Sequence, residues 1–205
     1  MPQRSVIIVN LVTMSRGVLI ALFTLLAIWN ELAPHLALGI SSIMLLVLSG
    51  LTDFLDGWLA RRWKATTPFG ALADPLMDKL FYATTLPTIL FIAAFRGETG
   101  HAVILLFLTI SFLIRDQWVT FLRSVGAQQG ADLRANWSGK LRTLLSFPII
   151  MIVYSVLALD LGLVTLLIVC EGLALSINLI SIWVYTQFYW PHIRLALQND
   201  NPPRS

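Results

Sequence analysis

Between Asp53 and Asp78 the chain reads DFLDGWLARRWKATTPFGALADPLMD, with four carboxylates (Asp53, Asp56, Asp74 and Asp78) in an otherwise apolar setting. Asp53 and Asp56 are three residues apart and Asp74 and Asp78 four apart. At about 100° per residue, either spacing keeps a pair on one helical face. Between the pairs, Arg62, Lys64, Thr66, Thr67, Pro68 and Gly70 make a basic turn rich in helix breakers. Two antiparallel helices joined there bring both acidic faces together near the turn. Four carboxylates that close need a strong positive counter-charge to stay ionised. Hard divalent cations take oxygen ligands and recruit substrate phosphates to complete their shells. Two such ions make a phosphoryl-transfer clamp. A single aspartate near a helix end is commonly a cap or a solvated charge. Four at the ends of two apolar helices need another reason, because acids are costly within a membrane.

The helices that must carry these pairs are apolar throughout. Of the 205 residues, 57% are hydrophobic and 12% charged, with a mean hydropathy of +0.79. Soluble domains carry about 25% charged residues, so this is an integral membrane protein. Its length fits a single membrane domain over residues 1–205, with an interfacial start at 1–16, the acidic motif at 53–78 and a flexible tail at 191–205. The net charge of +3 is spread between apolar runs and forms no basic block, which argues against a nucleic-acid partner. Cys170 stands alone in an apolar run and reads as a buried thiol. The first apolar run lacks a small-residue cleavage site, so no signal peptide is expected.

Six apolar segments are long enough to span, since about 20 residues cross the hydrocarbon. They run from Val6 to Trp29, Leu36 to Leu59, Leu72 to Phe95, Ala102 to Leu122, Leu144 to Leu159 and Leu163 to Tyr189. The sequence therefore predicts an all-α fold of six transmembrane helices. Arg4, Arg61, Arg62, Lys64, Arg123, Arg134, Lys140, Arg142, Arg194 and Arg204 fall at the termini or in the second-to-third and fourth-to-fifth connections. The opposite connections hold only Arg96. By the positive-inside rule both termini, and the acidic cluster, face the cytoplasm. Coupling acids of a transporter belong near the midplane, so this depth favours an enzyme over a cation- or proton-coupled transporter. Trp183, Tyr185, Tyr189 and Trp190 read as an aromatic belt.

Asp53, Asp56, Gly57, Ala60, Arg61, Gly70, Asp74 and Asp78 meet the spacing D-x2-D-G-x2-A-R-x8-G-x3-D-x3-D without a gap. This resembles the signature of the CDP-alcohol phosphotransferase family, membrane enzymes of phospholipid synthesis. Asn10, Thr13 and Arg16 recur every three residues on one helical stripe, similar to the start of the phosphatidylglycerophosphate synthase branch. Where that branch commonly carries a proline, this chain has Ile20 and Ala21. Arg115, Leu122, Arg123, Gly130, Gly139, Lys140 and Thr143 fall in register with further patterns of the same branch. Asp116 stands in place of Glu, Arg142 in place of Lys, and Arg134 where a small residue is common.

The resemblance implies transfer of a phosphatidyl group from CDP-diacylglycerol to an alcohol, with release of CMP. It assigns Asp53, Asp56, Asp74 and Asp78 to two Mg²⁺ or Mn²⁺ ions, and Asp78 additionally to the general base. Asp56, Gly57, Ala60, Arg61, Thr67 and Gly70 become the CDP-donor site. Arg115, Arg123, Lys140 and Arg142 are the cations available for an acceptor phosphate. Glycerol-3-phosphate is the acceptor implied by the branch, with inositol phosphate as the alternative. Plasma-membrane residence, a cytoplasmic active site and a homodimer follow from the same likeness. Nothing in it claims Glu171.

Overall fold

The computed structural model describes residues 3–65, 67–131 and 137–198. Among the described residues the fold is made of six helices: α1 (Gln3–Leu32), α2 (Leu36–Trp63), α3 (Pro68–Phe95), α4 (Thr99–Gln128), α5 (Trp137–Ala158) and α6 (Val164–Gln198). All but α5 are long and apolar enough to cross a membrane, and α5 carries a shorter apolar stretch, Leu144–Ala158. The whole 22-residue α5 measures about 33 Å at 1.5 Å per residue. Its first turns hold Lys140 and Arg142, which is why its apolar run undercounts it. α6 passes through Pro191 to Gln198, beyond the point where the sequence suggests a tail.

These helices are apolar on most of their circumference, as expected where the surroundings are lipid. Leu11, Leu25 and Trp183 point outward with 62%, 64% and 66% of their surface exposed. The inward faces meet in one core joining Phe23, Phe81, Ile89, Phe112, Tyr154 and Ala174. Polar groups meet inside it as well, where hydrocarbon offers no partner: the Ser42 and Tyr154 hydroxyls lie 2.6 Å apart. α1 packs on α2 and α3, α3 on α4, α4 on α6, and α5 on α6 and α2. A Cβ on Gly50 would overlap the Phe147 ring, so glycine is what lets α5 approach α2 there.

The sharp reversal between α2 and α3 is written in local chemistry. Lys64 takes a left-handed conformation (φ 50°), and its N–H caps the carbonyls of Ala60 and Arg61. Thr67 then caps α3, its hydroxyl accepting from the Gly70 N–H at 3.0 Å. Pro68 supplies a preset first turn. At the opposite end, Arg96 after α3 donates to Glu31 of α1 from Nε (2.7 Å) and Nη2 (2.6 Å), and from Nη1 to the Leu157 carbonyl of α5. The helix connections therefore alternate between two ends of one bundle.

Candidate active site

Because α2 and α3 are antiparallel across a short turn, Asp53 and Asp56 near the end of one face Asp74 and Asp78 near the start of the other. Arg16 of α1 stands among them. Its Nη2 lies 2.6 Å from Asp53, 3.1 Å from Asp56 and 3.5 Å from Asp74, and its Nη1 donates to Asp78 at 2.8 Å. Arg16 is 2% exposed, and its Nε makes no hydrogen bond among the described residues. Thr13, one turn earlier, donates to Asp56 at 2.8 Å. Asn10, a turn before that, accepts from Thr67 at 3.4 Å. The Asn10–Thr13–Arg16 stripe, which the sequence marks only as one helical face, thus lies along the site.

One guanidinium against four carboxylates leaves the cluster strongly negative. Asp53, Asp56 and Asp74 each offer an oxygen within 4.8 Å of the others. Carboxylate oxygens gathered in this way fit a hard divalent cation such as Mg²⁺ or Mn²⁺. Asp78 joins the group through Arg16 and stands at its edge.

Three cavities border the cluster, the third of them, lined by Arg16, Asp53, Asp78, Phe81, Tyr82 and Phe147, being the most apolar. The first is lined by Asn10, Thr13, Asp56, Gly57, Ala60, Arg61, Thr67, Gly70 and Asp74. It collects every residue that the sequence assigns to the CDP donor. A Cβ on Gly57 would approach nothing nearer than Arg61 Nη1 at 3.4 Å. Helix packing therefore does not demand the glycine, and its value lies in the space it leaves.

The second cavity holds Asp78, Lys79, Tyr82, Arg115, Asp116, Arg123, Gly139, Arg142 and Tyr185. Here the sequence-predicted cations Arg115, Arg123 and Arg142 converge from α4 and α5. Asp116 receives Arg115 at 2.9 Å and lies 3.1 Å from Arg142 Nη2. Arg123 Nη2 donates to the Tyr185 hydroxyl at 3.1 Å. Arg123 Nε is buried without a hydrogen-bond partner among the described residues, a donor of the kind that an anion satisfies, while Arg142 Nη2 has the Asp116 carboxylate beside it. The Lys140 side chain and Arg134 lie outside what the structure describes, so the structure does not test either assignment.

Several residues at this site were not singled out by the sequence. Lys79 lines the second cavity and donates to Thr120 at 3.1 Å. Tyr185 and Tyr189, read above as belt aromatics, are each 1% exposed. Tyr185 lies under the guanidiniums of Arg115 and Arg123, 5.2 and 5.5 Å from ring centre to carbon. A Cβ on Gly139 would strike its hydroxyl, which gives the glycine before Lys140 a packing reason. Asn178, Ser181 and Tyr185 sit three and four residues apart in α6. That helical spacing of polar groups in an apolar run is the signal that could have found them. Glu171, further along the same face, is fully buried and 3.1 Å from His101 Nδ1. It lies outside all three cavities.

Comparison with known proteins agrees with this arrangement. The sequence profile of CDP-alcohol phosphatidyltransferases matches residues 6–186. A CDP-diacylglycerol–glycerol-3-phosphate 3-phosphatidyltransferase of Pectobacterium atrosepticum is 31% identical over 136 residues, 65% of this chain and 69% of that protein. A protein of the same name from Sodalis glossinidius is 33% identical over 102 residues, 49% of this chain and 52% of its own length. In that case the match spans about half of the relative. The CMP-forming cardiolipin synthase of Streptomyces coelicolor is 29% identical over 157 residues, 73% of this chain and 67% of that protein. With a profile match over nearly its whole length, the acidic motif intact and its residues gathered at one site, the chain belongs to the CDP-alcohol phosphatidyltransferase family.

Proposed function

We propose that this protein transfers the phosphatidyl group of CDP-diacylglycerol to glycerol-3-phosphate, giving phosphatidylglycerophosphate and CMP. The observation that carries the proposal is the carboxylate cluster standing between a small-residue cavity and an arginine-lined one. In this reading the nucleotide lies over Gly57 and Ala60, with Arg61 on its phosphates and Thr67 and Gly70 at the far wall. The acceptor phosphate is held by Arg115, Arg123, Lys140 and Arg142. Its hydroxyl lies toward Asp78, the one member of the cluster that lines the acceptor cavity.

Asp78 takes the hydroxyl proton as general base. The acceptor oxygen bonds to the lipid-bearing phosphorus. The phosphoanhydride bond then breaks, and its electron pair leaves on the CMP phosphate. Asp53, Asp56 and Asp74, with Asp78 as a shared ligand, would hold two Mg²⁺ or Mn²⁺ ions, which when bound neutralise charge on the pyrophosphate. Around this site we place six membrane spans with both termini and the active site cytoplasmic, since Arg61, Arg62, Lys64 and Arg123 crowd that end. The membrane is the plasma membrane and the assembly a homodimer, which the mass of the detergent-solubilised protein checks.

The cardiolipin synthase relative raises a second acceptor, phosphatidylglycerol. Three arginines suit the doubly charged monoester of glycerol-3-phosphate better than a singly charged diester. CMP release from CDP-diacylglycerol in detergent, with Mg²⁺ and one acceptor at a time, decides between them. Release is expected with glycerol-3-phosphate and is lost on chelation. In Asp78→Asn it falls by about a hundredfold or more, the usual worth of a general base. Release with inositol phosphate or phosphatidylglycerol alone would move the acceptor and leave the chemistry standing. A cation-coupled transporter, the other reading open from sequence, has no support from the family or the site.

A further inference from the structure

We propose that Ser181 and Asn178 of α6 are positioning residues for the acceptor site, holding the guanidiniums of Arg115 and Arg142 so that their remaining N–H groups face the cavity beside Asp78. The inference rests on reading that cavity as the seat of the acceptor phosphate. Ser181 accepts from Arg115 twice, from Nε at 3.1 Å and from Nη2 at 2.9 Å. Asp116 takes Nη1 of the same group at 2.9 Å. Two bonds to one edge and one to the other fix both the position and the plane of the guanidinium.

Arg142 is held similarly from its inner side. Its Nε lies 3.3 Å from Asn178 Oδ1. The Asn178 amide cannot turn freely, because its Nδ2 donates to Ser111 Oγ at 3.0 Å, and Ser111 in turn donates to the Leu108 carbonyl at 2.9 Å. This relay ends on the α4 backbone, so the oxygen offered to Arg142 has one orientation. The Arg142 guanidinium also lies over the Phe112 and Tyr82 rings at 4.5 and 4.9 Å. Its Nη2 lies 3.1 Å from Asp116, the carboxylate that also receives Arg115.

Neither Ser181 nor Asn178 lines the cavity, and both are fully buried. They can act on an acceptor only through the arginines. Their three-residue spacing places them on one face of α6, and Tyr185, under Arg115 and Arg123, continues that face four residues on. Arginine side chains are long and lose much rotamer freedom when held. A phosphate site built from them binds well only if that freedom has been lost before the ligand arrives. Polar residues between membrane helices also serve as plain interhelical glue, and the experiment must separate the two roles.

The full-length protein in detergent is compared with Ser181→Ala and Asn178→Ala, and with the conservative Ser181→Thr and Asn178→Asp, which keep the accepting oxygens. Steady-state kinetics give KM separately for glycerol-3-phosphate and CDP-diacylglycerol, and thermal unfolding is followed with and without inorganic phosphate. Ser181→Ala should raise KM for glycerol-3-phosphate about tenfold, the scale of a lost hydrogen bond to a charged group. KM for CDP-diacylglycerol should not move, and the stabilisation by phosphate should shrink. The conservative variants should recover most of the acceptor affinity. A lower unliganded midpoint with unchanged acceptor KM, or equal rises in both KM values, would show glue and overturn the inference. If glycerol-3-phosphate is not turned over by the wild type, yet phosphate stabilises it and not Ser181→Ala, the functional reading fails and the positioning role stands. Absence of a phosphate effect on the wild type, or an equal effect on all variants, would overturn the positioning role.

Discussion

The two ends of this bundle spend their charges differently. At one end, Arg96 and Glu31 meet in a two-point pair at 2.6 and 2.7 Å, and the remaining arm of Arg96 is taken up by a backbone carbonyl. Each strong donor has its own acceptor. At the other end a single guanidinium, that of Arg16, is divided among four carboxylates, and Arg123 Nε across the cluster is buried without a hydrogen bond among the described residues. Satisfied pairs rigidify; unsatisfied groups of one sign are what a ligand of the other sign can complete. The same residue types thus make a clasp in one place and a site in the other.

The sharpest way to break the comparison is to cut the clasp. Glu31→Ala leaves Arg96 with one partner in a site where the Glu31 side chain was 5% exposed. Loss of one member of such a pair costs about 3 kcal/mol. A clear fall in the thermal midpoint in detergent is expected, with both KM values retained in the protein that remains folded. If CMP release were lost while the midpoint held, the far end would be part of the catalytic device and the contrast would be false.

How much of this was legible in sequence follows the same division. The acidic motif was legible because its spacing alone puts each pair on a helical face and its turn residues force the reversal. Arg115 was legible as a charge that an apolar segment would not keep without cause, whereas Arg123 and Arg142, in the fourth-to-fifth connection, stood out by their register with the family patterns. Tyr185 was not: in a helix apolar on every side, periodicity cannot say which stripe meets lipid. Trp183 faces out at 66% exposure, whereas Tyr185, two residues on, is buried at 1%. His101 and Glu171 lie seventy residues apart and meet only in the folded bundle. Lys79 was hidden beside Asp78, because one residue along a helix turns the side chain about 100°, toward α4 and Thr120.

A smaller effect sharpens the catalytic side. Gly57 has room for a Cβ, whose nearest neighbour would be the far end of the Arg61 side chain at 3.4 Å, so a larger residue there displaces Arg61 and enters the donor cavity before it disturbs helix packing. Gly57→Leu should keep the thermal midpoint and raise KM for CDP-diacylglycerol by about tenfold or more, on the scale of overpacking a filled site. KM for glycerol-3-phosphate should change little, because its cavity lies on the other side of the cluster. A matched rise in the acceptor KM would mean that the two cavities are one.

The smallest expected effect is an absence of pH dependence, and it tests whether the clasp is as closed as its geometry says. The hydrogen bond that Arg96 donates to Glu31, together with that residue's charge, raises the Arg96 pKa above its ordinary value, against the opposing effect of burial. A cation whose folded pKa is raised contributes stability that is complete below its unfolded pKa and is lost only as pH climbs through the folded one. For an arginine that window lies above about pH 12. The difference in thermal midpoint between wild type and Glu31→Ala should therefore be constant from about pH 6 to pH 9. A slope within that range would mean that another titrating group shares the clasp. His35 would be the first to substitute, since it lines the same cavity as Glu31 and Arg96.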